Sequence, residues 1–238
     1  MRQISIMHRN RRLHFLGHSK NRHQIAMFQY YTIPVTAFQQ NCSLVWCDET
    51  REAAVIDPGG DLDRILQEVA RRDLTLGAIW LTHAHIDHAG AAGELAVKLD
   101  LPILGPHEAD QFWIDKLVQQ SAMFGFPAAQ PFTPTKWLHD GDTVQIGRST
   151  LTVRHCPGHT PGHVVFHSSE ASRAFVGDVL FAGSIGRTDF PQGDMETLLA
   201  SIRNRLWPMG DETVFIPGHG PESTFGRERK TNPYVADR

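Results

Sequence analysis

Apolar positions along the chain switch between a two-residue and a four-residue rhythm, and the switches mark the elements. Residues 28–35, 42–47 and 53–56 are short runs rich in β-branched and aromatic side chains, so they predict strands, closed by the turn Asp57-Pro58-Gly59-Gly60. Leu62, Ile65, Leu66 and Val69 then recur at helical spacing, with Asp61 placed to cap the helix. Residues 78–81 predict a buried strand. Ala91, Leu95 and Leu99 mark a second helix, and its start, Ala89-Gly90-Ala91-Ala92-Gly93, is small enough to approach neighbouring groups closely. A strand over 102–104 and a third helix over 107–120 follow. Residues 121–135 carry Pro127, Pro131 and Pro134 and predict an irregular wall or lid.

The second half repeats the style. Strands are expected over 143–146, 150–155, 163–166 and 174–176, then a helix capped by Asp194 with Leu198, Ile202 and Leu206 on one face, then a strand over 213–216. A strand–strand–helix order occurring twice predicts two packed sheets with helices outside. With 238 residues, 41% of them hydrophobic, the chain has ample material for such a core. No apolar run approaches the length of a membrane span. Cys42, Cys47 and Cys156 are too few and too scattered for a disulfide framework, which predicts reduced, buried thiols and a cytoplasmic protein.

The net charge of −3 conceals an asymmetry. Residues 1–26 carry six basic and no acidic residues, leaving 17 basic against 26 acidic ones, a net of −9, for the rest. So acidic a body does not suit nucleic acid, whose phosphates need a basic surface. The first 26 residues lack apolar periodicity and a secretory core. They read as a basic disordered leader, or as upstream codons ahead of a start at Met27, with one domain over 27–238.

The candidate chemistry is concentrated in His83-Ala84-His85-Ile86-Asp87-His88, four metal-ligand side chains in six positions directly after an apolar strand. In an extended segment His83 and His85 project to one side and suit one ion. Asp87 and His88 follow where the chain turns into a helix and suit a second. His159, Asp178 and His219 stand in Gly- and Pro-punctuated turns, Gly158-His159-Thr160-Pro161-Gly162, Gly177-Asp178 and Pro217-Gly218-His219-Gly220. The expected arrangement is one ion on His83, His85, His159 and Asp178, and another on Asp87, His88, His219 and a shared Asp178. Asp87 and Asp178 are also the expected catalytic carboxylates. Mixed imidazole and carboxylate favour zinc, with iron or manganese as alternatives, over calcium or magnesium. Two such ions sharing a hydroxide would hydrolyse an activated carbonyl without a serine or cysteine nucleophile. Asp57 is either a second-sphere partner that orients a ligand histidine or a plain turn residue. His107, His139, His155, His163 and His167 read as ordinary structural histidines.

These motifs resemble the metallo-β-lactamase-fold hydrolases. Val55-Ile56-Asp57-Pro58-Gly59-Gly60, Gly158-His159-Thr160-Pro161-Gly162-His163, Gly186-Arg187-Thr188-Asp189-Phe190 and Ile216-Pro217-Gly218-His219-Gly220-Pro221 are similar to the compact bacterial type II glyoxalases. The resemblance covers about residues 27–238 and implies an α+β fold, an αββα sandwich. It also implies two divalent ions and hydrolysis of a small-molecule glutathione thioester such as S-D-lactoylglutathione. Neither nucleic acid nor membrane is an expected partner, and the sequence leaves the oligomeric state open, a monomer among the options. Full-length glyoxalase II enzymes add a helical domain that helps to bind glutathione, whereas 19 residues follow His219 here. Arg187, Arg227, Arg229 and Lys230 are therefore the candidates to meet the substrate carboxylates. Persulfide dioxygenases and lactonases of the same fold, or a non-catalytic metal-binding protein, are the alternatives.

Overall fold

The computed structural model describes residues 28–237; the leader expected over 1–26 lies outside them. The first sheet holds β1 (Phe28–Val35), β2 (Gln40–Cys47), β3 (Glu52–Ile56), β4 (Thr75–Trp80) and β5 (Ile103–Leu104), in that order. β1, β2 and β3 are antiparallel neighbours, whereas β3, β4 and β5 run parallel. The parallel pairs require crossovers, supplied by α1 (Leu62–Arg71) and by α2 (Ile86–Ala89) with α3 (Ala92–Leu99). The second sheet contains β6 (Thr143–Ile146), β7 (Ser149–His155), β8 (Val164–Ser168), β9 (Arg173–Gly177), β12 (Val214–Pro217) and β13 (Ser223–Thr224), ordered 13-12-9-8-7-6. A small hairpin of β10 (Leu180–Phe181) and β11 (Ser184–Ile185) stands beside it.

Alternation along the strands builds the layers. Val45, Ala54, Ile56 and Trp80 of the first sheet meet Phe166, Phe175 and Ile216 of the second in one core between the sheets. Their strand neighbours point the other way. Leu44, Val55 and Ile79 pack with Ile65 of α1 and Leu95 of α3. Val165, Val176 and Phe215 pack with Leu198 of α6 (Met195–Ser201) and with Phe225 of α7 (Phe225–Thr231). The result is helix, sheet, sheet, helix, the αββα sandwich.

Three local expectations need correction. Asp61 stands at the N-cap position of α1 and its carbonyl accepts from Ile65 N–H, but at φ 52° its carboxylate makes no capping bond and accepts instead from the Thr36 amide at 2.9 Å. The third helix is not continuous over 107–120. It breaks into a 3-10 turn over Glu108–Asp110, α4 (Gln111–Ile114) and α5 (Leu117–Phe124), so part of the segment expected to be irregular is helical. The helix capped by Asp194, whose carboxylate accepts from Thr197 N–H at 2.7 Å, passes after Ser201 into a π turn over Ile202–Leu206.

Candidate metal centre

The site forms where strands end. β4 releases the chain at Trp80, and residues 81–85 cross extended to α2. β9 ends at Gly177 before Asp178, β12 ends at Pro217 before His219, and the loop after β7 carries His159. Backbone bonds stitch these exits together: Val164 N–H donates to Thr82 O at 2.8 Å, Gly218 N–H to Gly177 O at 2.7 Å, and Asn41 N–H to Gly218 O at 2.7 Å.

The structure brings seven predicted residues into two adjoining groups. In the first, His83, His85 and His159 each offer a ring nitrogen within 4.8 Å of the others, and His85 Nδ1 lies 3.0 Å from His159 Nε2. In the second, Asp87 Oδ2 is 3.1 Å from His219 Nε2 and 3.8 Å from His88 Nε2. Asp178 lies between them, with Oδ1 3.3 Å from His88 Nε2 and Oδ2 3.6 Å from His159 Nε2 and 3.7 Å from His219 Nε2. Gly218 makes room for this: a Cβ there would fall 2.1 Å from Asp178 Oδ1 and 2.6 Å from His88 Cε1.

Hydrogen bonds behind the rings select tautomers. His88 Nδ1–H donates to Asp57 Oδ2 at 2.9 Å, and the same oxygen accepts from the Thr82 hydroxyl at 2.6 Å. That hydroxyl oxygen in turn accepts from His83 Nδ1–H at 3.1 Å. His159 Nδ1–H donates to the Arg187 carbonyl at 2.7 Å. In the neutral ring each of these bonds leaves Nε2 without a proton and facing the site. Yet His83 Nε2, His88 Nε2 and Asp178 Oδ1 are buried with no hydrogen-bond partner. Buried acceptors are rarely left so, and neutral imidazole with carboxylate is a donor set that fits a divalent cation.

Electrostatics agree for His83 and His85 and run the other way at His88. Burial, reinforced by neighbouring histidines, holds His83, His85 and His163 well below the usual imidazole range and therefore neutral. Burial also opposes charge on His88, but Asp178 and Asp87 outweigh it and push its pKa well up. Asp178 is held below the usual carboxylate range because the surrounding histidines overcome its burial.

Sequence reasoning missed three contributors. His163, expected to be an ordinary strand residue, precedes β8. Its Nε2 accepts from the Asp178 amide at 3.1 Å, and its ring stacks on His83. Gln120 accepts from Ile86 N–H at 3.0 Å and donates to Trp113 O at 2.9 Å. Asp110 is fully buried, and burial pushes its carboxyl up to about 7 against three hydrogen bonds that hold it down. The available signal was its place in the apolar stripe Trp113, Ile114, Leu117, where a carboxylate needs dedicated partners.

A cavity of about 410 Å³ opens onto His85, Asp87, His159, Asp178 and His219. Its remaining wall is largely aromatic, with Phe38, Trp113, Phe124, Phe181 and Phe190, and Arg187 is the cation on it. Arg187 pairs with both oxygens of Asp189 at 2.6 Å and lies over the Phe190 ring. Arg227, Arg229 and Lys230, expected as substrate contacts, do not line this cavity. They belong to α7, where Arg229 is engaged by Asp237 and Asp211. No cysteine lines the cavity either.

Fold and site together define a metal-dependent hydrolase, and the chain belongs to the metallo-β-lactamase superfamily, whose profile matches residues 35–219. Among its relatives, the hydroxyacylglutathione hydrolase GloC of Haemophilus influenzae is 47% identical over 204 residues, covering 85% of this chain and 96% of that protein. Two solved structures are similar throughout. The B3 metallo-beta-lactamase BLEG-1 is 36% identical with a TM-score of 0.81, covering 88% of this chain and 100% of that one. TTHA1623 in a di-iron-bound form is 37% identical with a TM-score of 0.79, covering 86% and 100%. Among the described residues no helix is long and apolar enough to cross a membrane.

Proposed function

We propose that the chain hydrolyses a glutathione thioester, with S-D-lactoylglutathione as the reference substrate, at a site that holds two divalent metal ions. The observation that carries this reading is the convergence of six nitrogen and carboxylate side chains with Asp178, four atoms of the seven residues being buried and unpaired. In this reading His83, His85, His159 and Asp178 hold one ion, and Asp87, His88, His219 and Asp178 the other. The hydroxyacylglutathione hydrolase relative supports the substrate class, and the di-iron neighbour keeps iron beside zinc and manganese as the resident metal. Bound there, such ions supply Lewis acidity toward the thioester carbonyl and bring water ionisation near neutral pH.

The protein's own residues do the rest. Asp57 and the Arg187 carbonyl orient His88 and His159 by holding their Nδ1 protons. Trp113 and Phe190, both in contact with the His85 ring, exclude water from that side. Arg187 is the cation on the cavity wall available to a substrate carboxylate, and Asp87 and Asp178 are the carboxylates that line the cavity.

The test is thiol release from S-D-lactoylglutathione, measured before chelation, after it, and after metal is restored. Turnover should disappear and return with the metal, and His85→Ala should cost more than the ~10–100-fold typical of a residue behind a ligand. A protein that holds two ions per chain and leaves this thioester intact would refute the substrate. Turnover of a lactone or a persulfide would then identify its replacement.

A further inference from the structure

We propose that Asp110 is a positioning residue that locks the two loops carrying His83, His85 and His159 to each other and so sets the metal affinity of that group. The inference rests on the reading of the site given above and adds a residue that neither the ligand motifs nor the cavity lining contains. Asp110 closes the 3-10 turn ahead of α4 and has no exposed surface. Its Oδ2 accepts from Ala84 N–H at 3.1 Å and from the Thr160 hydroxyl at 2.9 Å, and its Oδ1 accepts from Gly162 N–H at 2.6 Å. Ala84 is the residue between His83 and His85. Thr160 follows His159 directly. Gly162 precedes His163, which holds the Asp178 amide and stacks on His83.

One carboxylate thus ties two loops to its own turn through donors 26 to 52 residues away in sequence. It fixes the backbone on both sides of the 3.0 Å approach between His85 Nδ1 and His159 Nε2. The turn and the loop are locked further by Asp110 N–H donating to His107 O and His107 N–H to Gly162 O, both at 3.0 Å. There is no slack in this contact, because a Cβ on Gly162 would come within 2.5 Å of Asp110 N. Gln120 steadies the same His83–His88 loop from the other side but reaches no part of the His159 loop. None of the donors to Asp110 belongs to Asp87, His88 or His219. The larger effect is therefore expected at the ion of the His83, His85 and His159 group, and a smaller one reaches the other through Asp178, whose amide His163 holds.

Asp110→Asn is the direct probe, since it keeps the shape and replaces one accepting oxygen with a donor that faces another donor. Metal-free full-length protein is titrated with Zn2+ against a chromophoric chelator, and the visible spectrum is recorded after loading with Co2+. The variant should lose about 10–100-fold in affinity for one ion, the range for residues behind a metal ligand, and clearly less for the other. The cobalt bands of one ion should be lost or shifted more than those of the other. Thr160→Val removes one donor only and should give the same uneven loss at smaller size; it decides the matter if Asp110→Asn does not fold. Unchanged affinity at both ions would overturn the proposal. So would an equal loss at both that follows the melting temperature of the metal-free variant, the mark of a merely structural carboxylate. A wild type that binds fewer than two ions would overturn the reading of the site itself, and this is seen before any variant is made.

Discussion

Asp110 and Glu228 are both buried carboxylates, and each accepts three hydrogen bonds, those to Asp110 from donors 26 to 52 residues away and those to Glu228 from one remote donor and two within five residues. Glu228 takes Gly183 N–H at 2.7 Å, the Ser223 hydroxyl at 2.5 Å and Asn232 Nδ2 at 2.9 Å, and so fastens α7 to the turn of the β10–β11 hairpin. Every donor to Asp110 lies one residue from His83, His85, His159 or His163, whereas no donor to Glu228 adjoins a ligand. The local energetics are alike, a desolvated acceptor repaid by three donors. What differs is the cargo, a ligand loop in one case and a terminal helix in the other. Burial and hydrogen bonding alone therefore do not separate a residue that serves the reaction from one that serves the fold.

The strongest way to break the contrast is Gly218→Ala. Its methyl group would displace the Asp178 carboxylate and press on the His88 ring, so both ions should be lost and thioester turnover should fall more than ~100-fold, beyond what a residue behind a ligand costs. Metal content by mass spectrometry, read beside initial rates, checks it. A smaller effect is expected from Glu228→Gln, which puts a donor among donors away from the site. It should cost about 1–3 kcal/mol, seen as a melting temperature roughly 2–4 °C lower per kcal/mol, while chelator competition returns wild-type affinity for both ions. The smallest effect belongs to Lys230→Ala, on the exposed face of α7. It should leave KM and kcat unchanged, whereas Arg187→Ala, on the cavity wall, should raise KM with little change in kcat.

Much of this molecule was legible because its signals are local. β1 occupies the expected residues 28–35, and the core between the sheets follows from alternation along strands such as Val45 and Trp80. The candidate ligands announce themselves by spacing in 83–88 and by glycines at 158, 177 and 218. What escaped depends on distant partners. α7 carries one buried apolar residue in its first turn, Phe225, and few others, so no periodicity marks it, although Thr224 caps it by accepting from Arg227 N–H. β10, β11 and β13 are two residues each, too short for any pattern. Asp57 reads from sequence alone as either a turn residue or a partner for histidine, and its contacts with Thr82 and His88, 25 and 31 residues away, decide between them. Arg227, Arg229 and Lys230 were candidates by charge alone, and charge does not tell which way a helix faces.

The backbone that presses on the ligands leaves no space for a side chain. A Cβ on Gly59 would coincide with the Asp87 carbonyl, just as one on Gly218 would meet the Asp178 carboxylate. The opposite wall is built from Phe38 and Phe124, large, partly exposed side chains carried on a hairpin turn and on the end of α5. Mutation therefore meets two different materials in one cavity. At these glycines the inner face is closed to sequence change, because any side chain there adds atoms where none fit. The rim can be rewritten residue by residue without disturbing the ligands, and a lineage with this architecture can exchange substrates while keeping its chemistry.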